Sequence, residues 1–187
     1  ETLIITPQKI YDPTNEFDEE YFEFGLFMSR RELKTITRRL QQGRTRSVLE
    51  GKYVGNIAPY GYRRIKLQGQ KGYTLEEEPD EADIVRMIFK WYTEGEKQPD
   101  GTNKRLGVSL IVRRLNELKI KPRKGDAWTT PSVRDMLINP TYIGKVRWDW
   151  RRVNKKFIDG KITIERPRSD DYTIANGLHN GIISEET

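Results

Sequence analysis

The sequence predicts an α+β fold, mainly helical, in which a long N-terminal helix precedes a winged-helix-like domain (helix-turn-helix plus small β hairpin). Three observations predict it. Apolar residues from Phe17 to Leu40 recur at helical spacing for roughly seven turns. Two short amphipathic segments, Gly107 to Leu118 and Thr130 to Asn139, are separated by a polar turn holding Pro122 and Gly125. Beyond them, Val146 to Trp150 and Lys161 to Glu165 alternate like two strands around Asp159-Gly160.

Taken in order, Leu3-Ile4-Ile5 reads as the end of a strand closed by Thr6-Pro7, and Asn15 or Asp18 is placed to cap the helix that follows. That helix sets apolar residues at 17, 21, 24 and 28, and at 22, 26, 33, 36 and 40, with acids in its first turns and bases in its last, as the helix dipole favours. Its aromatic N-terminal half needs something to bury against, so an absent domain or a second copy is expected. Periodicity fades after Gly43, and Gly51, Gly55, Pro59 and Gly61 punctuate what reads as an extended arm. A hairpin is expected from Tyr62 to Tyr73, turning at Gly69 to Gly72. A second helix opens at Pro79, buries Ala82, Val85, Ile88, Phe89 and Tyr92, and ends near Gly95. Residues 96–106 read as a polar loop. The third helix turns Leu110, Ile111, Leu115 and Leu118 inward, and Trp128, Met136, Leu137 and Tyr142 read as core. From Ser169 onward the chain is expected to be partly ordered at best, with His179 on the surface.

Charged residues make up 33% of the chain against 35% hydrophobic, which predicts a modest core under a heavily charged surface. No apolar run approaches the length that spans a bilayer, so no membrane segment is expected. With no cysteine and one histidine, neither a thiolate site nor a histidine metal cluster is available, and no metal or cofactor is expected. The net charge of +6 is unevenly spread: residues 1–29 carry one Lys and seven acids, and residues 30–71 twelve Lys/Arg and two acids. Residues 72–94 come to −5 and residues 95–125 to +6. Two basic blocks around an acidic helix suit contact with duplex DNA phosphates at two places; a solvated lysine-rich surface would have the same composition.

The basic end of the first helix holds Arg30, Lys34 and Arg38 in one stripe, flanked by Arg31 and Arg39, with Glu32 the only acid before Val48. Arg38, Arg39, Arg44 and Arg46 are the candidate DNA contacts there. Lys52 in the arm and Arg63 and Arg64 after the Pro59-Tyr60-Gly61-Tyr62 turn are further candidates, since a narrow groove admits extended backbone with small residues and arginines. At the start of the fourth helix Thr129, Thr130 and Ser132 offer hydroxyls to phosphate or base edges, and Arg134 is the candidate groove contact. Lys145, Arg147, Arg151 and Arg152, with Lys155 and Lys156 behind them, lie on or between the strands that read as a wing and suit a backbone clamp.

These segments occur in a recognisable order. Phe27-Met28-Ser29-Arg30-Arg31-Glu32-Leu33-Lys34 leads to Arg38-Arg39-Leu40-Gln41-Gln42-Gly43-Arg44. Leu115-Asn116 continues through Ile120, Pro122, Gly125, Trp128, Val133, Met136-Leu137, Asn139-Pro140 and Tyr142 to Gly144-Lys145. The whole resembles the large serine recombinases, the integrase and resolvase enzymes that cut and rejoin DNA at attachment sites. The resemblance implies residual strand and loop from the end of a catalytic domain at 1–16, a long dimerisation and DNA-crossing helix at 17–46, and an arm or linker at 47–60. It further implies a recombinase DNA-binding domain at 61–168 and a tail at 169–187 leading to a zinc ribbon, whose cysteines are not here.

For the intact protein the resemblance implies strand cleavage through a phosphoserine intermediate, without ATP or catalytic metal, in a bacterial or phage-encoded protein working at the nucleoid in the cytoplasm. Dimers or tetramers would form through the 17–42 helix. The fragment itself, lacking the nucleophilic serine, is expected to bind double-stranded DNA at an attachment site and not to cut it; no residue here takes a catalytic role. Two other readings stay open from the residues: a winged-helix transcription regulator, and a helix-mediated dimerisation module.

Overall fold

Thr6 turns the chain at its start: its hydroxyl donates to Lys9 O (2.8 Å) and accepts from Lys9 N–H (3.1 Å), pairing Ile4–Ile5 (β1) with Ile10–Tyr11 (β2). The computed structural model describes residues 3–97, 101–151, 153–158 and 160–187, and separates into two compact units, residues 1–44 and 45–187. In the first, Asn15 caps helix α1 (Glu16–Leu49) by accepting from Phe17 N–H at 3.0 Å, while Asp18 instead accepts from Lys9 Nζ (2.6 Å) and Asp12 N–H (3.1 Å). Tyr11 packs on Tyr21 and Phe22 of α1. Little else covers the helix: Phe17, Tyr21, Phe24 and Phe27 remain 60–82% exposed, and Leu33 and Leu40 are exposed too.

Helix α1 runs through Gly43, where the periodicity fades, and past residue 46, where the resemblance ends it, to Leu49. One glycine inside a helix costs only about 1 kcal/mol relative to alanine, and Val48, fully buried, more than offsets that. The true stop is Gly51. At φ +75° it closes the helix with Gly51 N–H to Val48 O (2.9 Å) and Lys52 N–H to Ser47 O (2.9 Å), the bond pair of a left-handed helix terminus. A Cβ there would lie 2.7 Å from Asn176 O, so the same glycine admits the returning tail.

The second unit strings small elements around one core. Tyr62–Lys66 (β3) and Tyr73–Glu77 (β4) form the expected hairpin. Pro79 opens α2 (Pro79–Thr93), which buries Ala82, Val85, Ile88 and Phe89 but leaves Tyr92 exposed. Within the expected polar loop, Glu96–Lys97 (β5) pairs with Asn103–Lys104 (β6). Helix α3 (Val108–Glu117) buries Ile111 and Leu115; Leu110 (47% exposed) and Leu118 point outward, against expectation, because a ten-residue helix has only one narrow buried stripe. Helix α4 (Thr130–Leu137) buries Val133 and Met136, and a 3-10 turn follows at Pro140–Ile143. The core joins these to Tyr62, Trp128 and Tyr142.

Three expectations fail at the C-terminal end. Lys145–Trp148 (β7) does not pair with the segment around Lys161. Its partner is Thr173–Asn176 (β10), and the hairpin is instead Asn154–Ile158 (β8) with Lys161–Glu165 (β9). The tail is ordered, and its anchor is Tyr62. That hydroxyl donates to Asn180 O (3.0 Å) and accepts from Ile182 N–H (3.0 Å), while Ile182 is buried. His179 is a core residue at 7% exposure, edge-on to Tyr62, its Nε2–H donating to Thr141 O at 2.9 Å. Alternation cannot distinguish one strand partner from another, and a tail whose apolar residues are few is stapled by backbone hydrogen bonds that leave no pattern in the sequence.

Candidate nucleic-acid interface

Within α4, inward Val133 and Met136 fix which side faces solvent, and Thr130 and Arg134, one turn apart, both lie exposed on it. Thr129 and Ser132 close a reciprocal capping box: Thr129 Oγ1 accepts from Ser132 N–H (3.4 Å), and Ser132 Oγ accepts from Thr129 N–H (3.1 Å). Their hydroxyls thus order the N-terminus that presents Thr130 and Arg134.

The other candidates divide by their partners. In the first unit Arg38, Arg39 and Arg44 are exposed on α1, the stretch whose bases outnumber its acids. In the second, Arg46 and Lys52 both engage Glu50, at 3.1 and 2.7 Å; Lys52 is held down, its side chain 16% exposed. Residues beyond α1 that read as an extended arm are fastened to the hairpin, with Tyr53 N–H bonded to Tyr73 O at 2.8 Å and Tyr53 hydroxyl donating to Ile57 O. Arg64 stacks 3.6 Å from the Tyr73 ring and donates to Gly55 O and Asn56 O, so it braces this segment; Arg63 pairs with Glu76 across the strands at 2.7 Å. Lys145 pairs with Glu185 of the tail. Arg147 and Arg151 converge on Trp150, with guanidinium carbons 3.6 and 4.5 Å from the ring centroid. Arg152 lies outside the described residues.

Two residues that organise the surface escape sequence reasoning. Arg123, in the turn between α3 and α4, donates from Nε to Glu81 (2.7 Å) and pairs with its second carboxylate oxygen. It also reaches Tyr62 O (2.6 Å), Ala58 O (3.2 Å) and Pro59 O (3.3 Å). Glu81 in turn accepts from Gly61 N–H at 2.8 Å, so one ion pair ties the entry turn to α2 and to the turn between α3 and α4. Arg168 sits opposite Arg151 on the neighbouring segment, 5.9 Å from Trp150. A signal for the second existed, an indole flanked by arginines one and three residues away; nothing local marks the first.

Titration follows burial. Tyr62 is pushed up to about 12 and Tyr142 higher still, chiefly by desolvation, so both stay neutral hydrogen-bonding groups. Burial, above all, pulls Arg147 below its ordinary value, and the nearby Arg151 and Arg168 charges add to that effect. Among the described residues no three His, Cys, Asp or Glu side chains gather as a metal site, and no helix is long and apolar enough to cross a membrane.

The exposed, capped start of α4 is followed by the β7–β10 pair and the lysine-rich β8–β9 hairpin. The chain belongs to the Recombinase family of serine recombinases, whose model matches residues 79–187, more than half of its length. It is also similar to a protein of Bacillus subtilis (strain 168) named "Putative DNA recombinase", 28% identical over 160 residues, covering 82% of this chain. The chain corresponds to 30% of that relative's length. Family membership gives it a recombinase-related role.

Proposed function

We propose that the chain is the DNA-gripping part of a site-specific serine recombinase, binding double-stranded DNA at an attachment site in sequence-specific fashion. The observation that carries the proposal is the exposed pair Thr130 and Arg134 on a helix whose other side is core, within the matched family region. A side chain at that position enters a major groove as the reading helix of a winged-helix-like unit, while Arg63, Lys145, Arg147 and Arg151 hold backbone phosphates. Arg38, Arg39, Arg44 and Arg46 then contact phosphates along α1. In the intact protein, cleavage and rejoining proceed through a serine–phosphate link, and no step of that chemistry is assigned to residues here.

Self-association belongs to the same proposal. Phe17, Tyr21, Phe24 and Phe27 all stand exposed on one helix, the kind of aromatic surface that marks an interaction site. Sedimentation of the protein at micromolar concentration should show dimers that dissociate on Phe24→Glu.

The test of DNA binding is a footprint on the borders of the element from which the gene comes, paired with a salt titration. Each phosphate neutralised contributes about 0.9 to the slope of log affinity against log salt. A steep slope with protection at the borders supports the reading. A shallow slope, with self-association intact, replaces it with a dimerisation module.

A further inference from the structure

We propose that Arg147, Arg151 and Arg168, gathered around the Trp150 indole, form a preorganised cradle for one backbone phosphate of duplex DNA, beside α4. The inference rests on the DNA reading above and adds to it Trp150 and Arg168, which neither charge patterning nor the helix-turn-helix layout singles out.

Three guanidinium carbons lie 3.6, 4.5 and 5.9 Å from one ring centroid. Like charges gathered on one ring repel, and the attraction of the ring face offsets only part of that. Asp135 of α4 reaches Arg151 at 3.4 Å, a long contact that ties the cluster to α4, and among the described residues no other ion pair is made by Arg147, Arg151 or Arg168. The surroundings deepen the imbalance: residues 145–168 carry nine Lys/Arg and three Asp/Glu.

The fold nevertheless builds the cluster firmly. Strand β7 sets Arg147 opposite Ile174, Ser169 N–H bonds Trp150 O at 2.9 Å, and Arg151 and Arg168 face each other across an isolated bridge. Asp149, at φ +67°, makes the turn that brings Trp150 back beneath Arg147. An arrangement that crowds cations on hydrogen-bonded backbone, instead of letting long side chains spread, is suited to an anion with several acceptor oxygens. Guanidinium forks match phosphate in geometry, and rings hold them in orientation. A phosphodiester fits that demand and supplies the missing negative charge. Arg168, exposed and adjacent in space to the half-buried Arg147, provides the outer wall.

The experiment measures affinity of the full chain for a fluorescent 30-base-pair duplex of arbitrary sequence, across a potassium chloride series. Arbitrary sequence isolates phosphate contact from base reading. Arg168→Gln and the double variant Arg147→Gln/Arg168→Gln are compared with wild type, with Trp150→Phe and with Lys71→Gln as a charge-matched control elsewhere. The double variant should lower the salt slope by about 1, Arg168→Gln by part of that, and Trp150→Phe should leave it unchanged. Should the double variant not fold, Arg168→Gln alone decides, since that side chain is exposed. A slope equal to wild type in Arg168→Gln and in the folded double variant, or the same loss in Lys71→Gln, overturns the cradle while leaving DNA binding intact. Absence of salt-dependent binding by wild type overturns both.

Discussion

Replacing Arg123 with lysine keeps the charge and removes the fork. The guanidinium serves both carboxylate oxygens of Glu81 and three backbone carbonyls, and a lysine ammonium reaches at most two of these groups. Hydrogen bonds to charged groups contribute about 1.5–3 kcal/mol each when well desolvated. Here Arg123 is 35% and Glu81 19% exposed, so solvent recovers part of the loss. Losing Tyr62 O and one carboxylate bond then costs roughly 2 kcal/mol, or about 4–8 °C in Tm for a chain of this size. Arg113→Lys is the internal comparison, because its pairing with Glu117 is 75% exposed on the arginine side and should contribute well under 1 kcal/mol. Urea denaturation followed by far-ultraviolet circular dichroism reads both. Combining Arg123→Lys with Glu81→Gln should give a coupling of about 1 kcal/mol, since each variant already breaks the same contact. If Arg123→Lys is no more costly than Arg113→Lys, or the two losses simply add, the clasp does not hold the entry turn and the assignment is wrong.

Burial lowers the His179 imidazole below its ordinary value of about 6.5, outweighing the opposing hydrogen bond to Thr141 O. The unfolded chain therefore binds a proton that the folded chain refuses: stability is full above about 6.5 and falls as pH drops below it, by at most about 1.4 kcal/mol per pH unit. Melting between pH 7.5 and 5 should show this fall, and His179→Gln should flatten it; equal pH dependence in the two refutes the buried assignment. Lys119 ends α3 at φ +55°, closing it through Lys119 N–H to Asn116 O and Ile120 N–H to Leu115 O, both 3.0 Å. Lys119→Gly should raise stability by about 0.5–1 kcal/mol, the left-handed penalty less the glycine entropy, and a lowered Tm would contradict that. Arg134→Ala should relax preference at one position of a cognate site by about 1–3 kcal/mol; a loss uniform across sequences demotes it to phosphate contact.

What the sequence made legible was whatever has a period. The first helix, the Tyr62–Tyr73 hairpin, the helix opened by Pro79 and the pair around residues 107–139 are all legible in local spacing, although most apolar positions of α1 stay exposed and Tyr92, Leu110 and Leu118 face outward. What it hid was pairing between distant segments. Lys145–Trp148 alternates as a strand, yet nothing in it prefers Thr173–Asn176 to Lys161–Glu165. The choice is made by Tyr62, whose hydroxyl pins Asn180 and Ile182 more than a hundred residues away. That contact also explains why His179 is buried: once the tail is fastened at Tyr62, the imidazole fills the remaining space above Thr141.

The candidate site divides along the same line. Charge is legible because it is carried by composition, but whether an arginine faces solvent, a carboxylate or a ring is decided by tertiary neighbours. Arg63, Arg64, Arg134 and Arg147 look equivalent in sequence. In the structure one pairs with Glu76, one braces a loop against Tyr73, one stands exposed on α4, and one lies half-buried on Trp150. These differences rank them for the proposed function. An arginine already committed to a carboxylate must break that contact to reach a phosphate, and one bracing a loop must release backbone acceptors as well. Arg134, Arg147 and Arg168 carry no such ion pair among the described residues, and Arg151 would break only its long 3.4 Å contact to Asp135. Phosphate contact through them should therefore survive in variants where Arg63 or Arg64 is replaced, and weakening of DNA binding by Arg64→Ala should track loss of stability instead of acting on affinity alone.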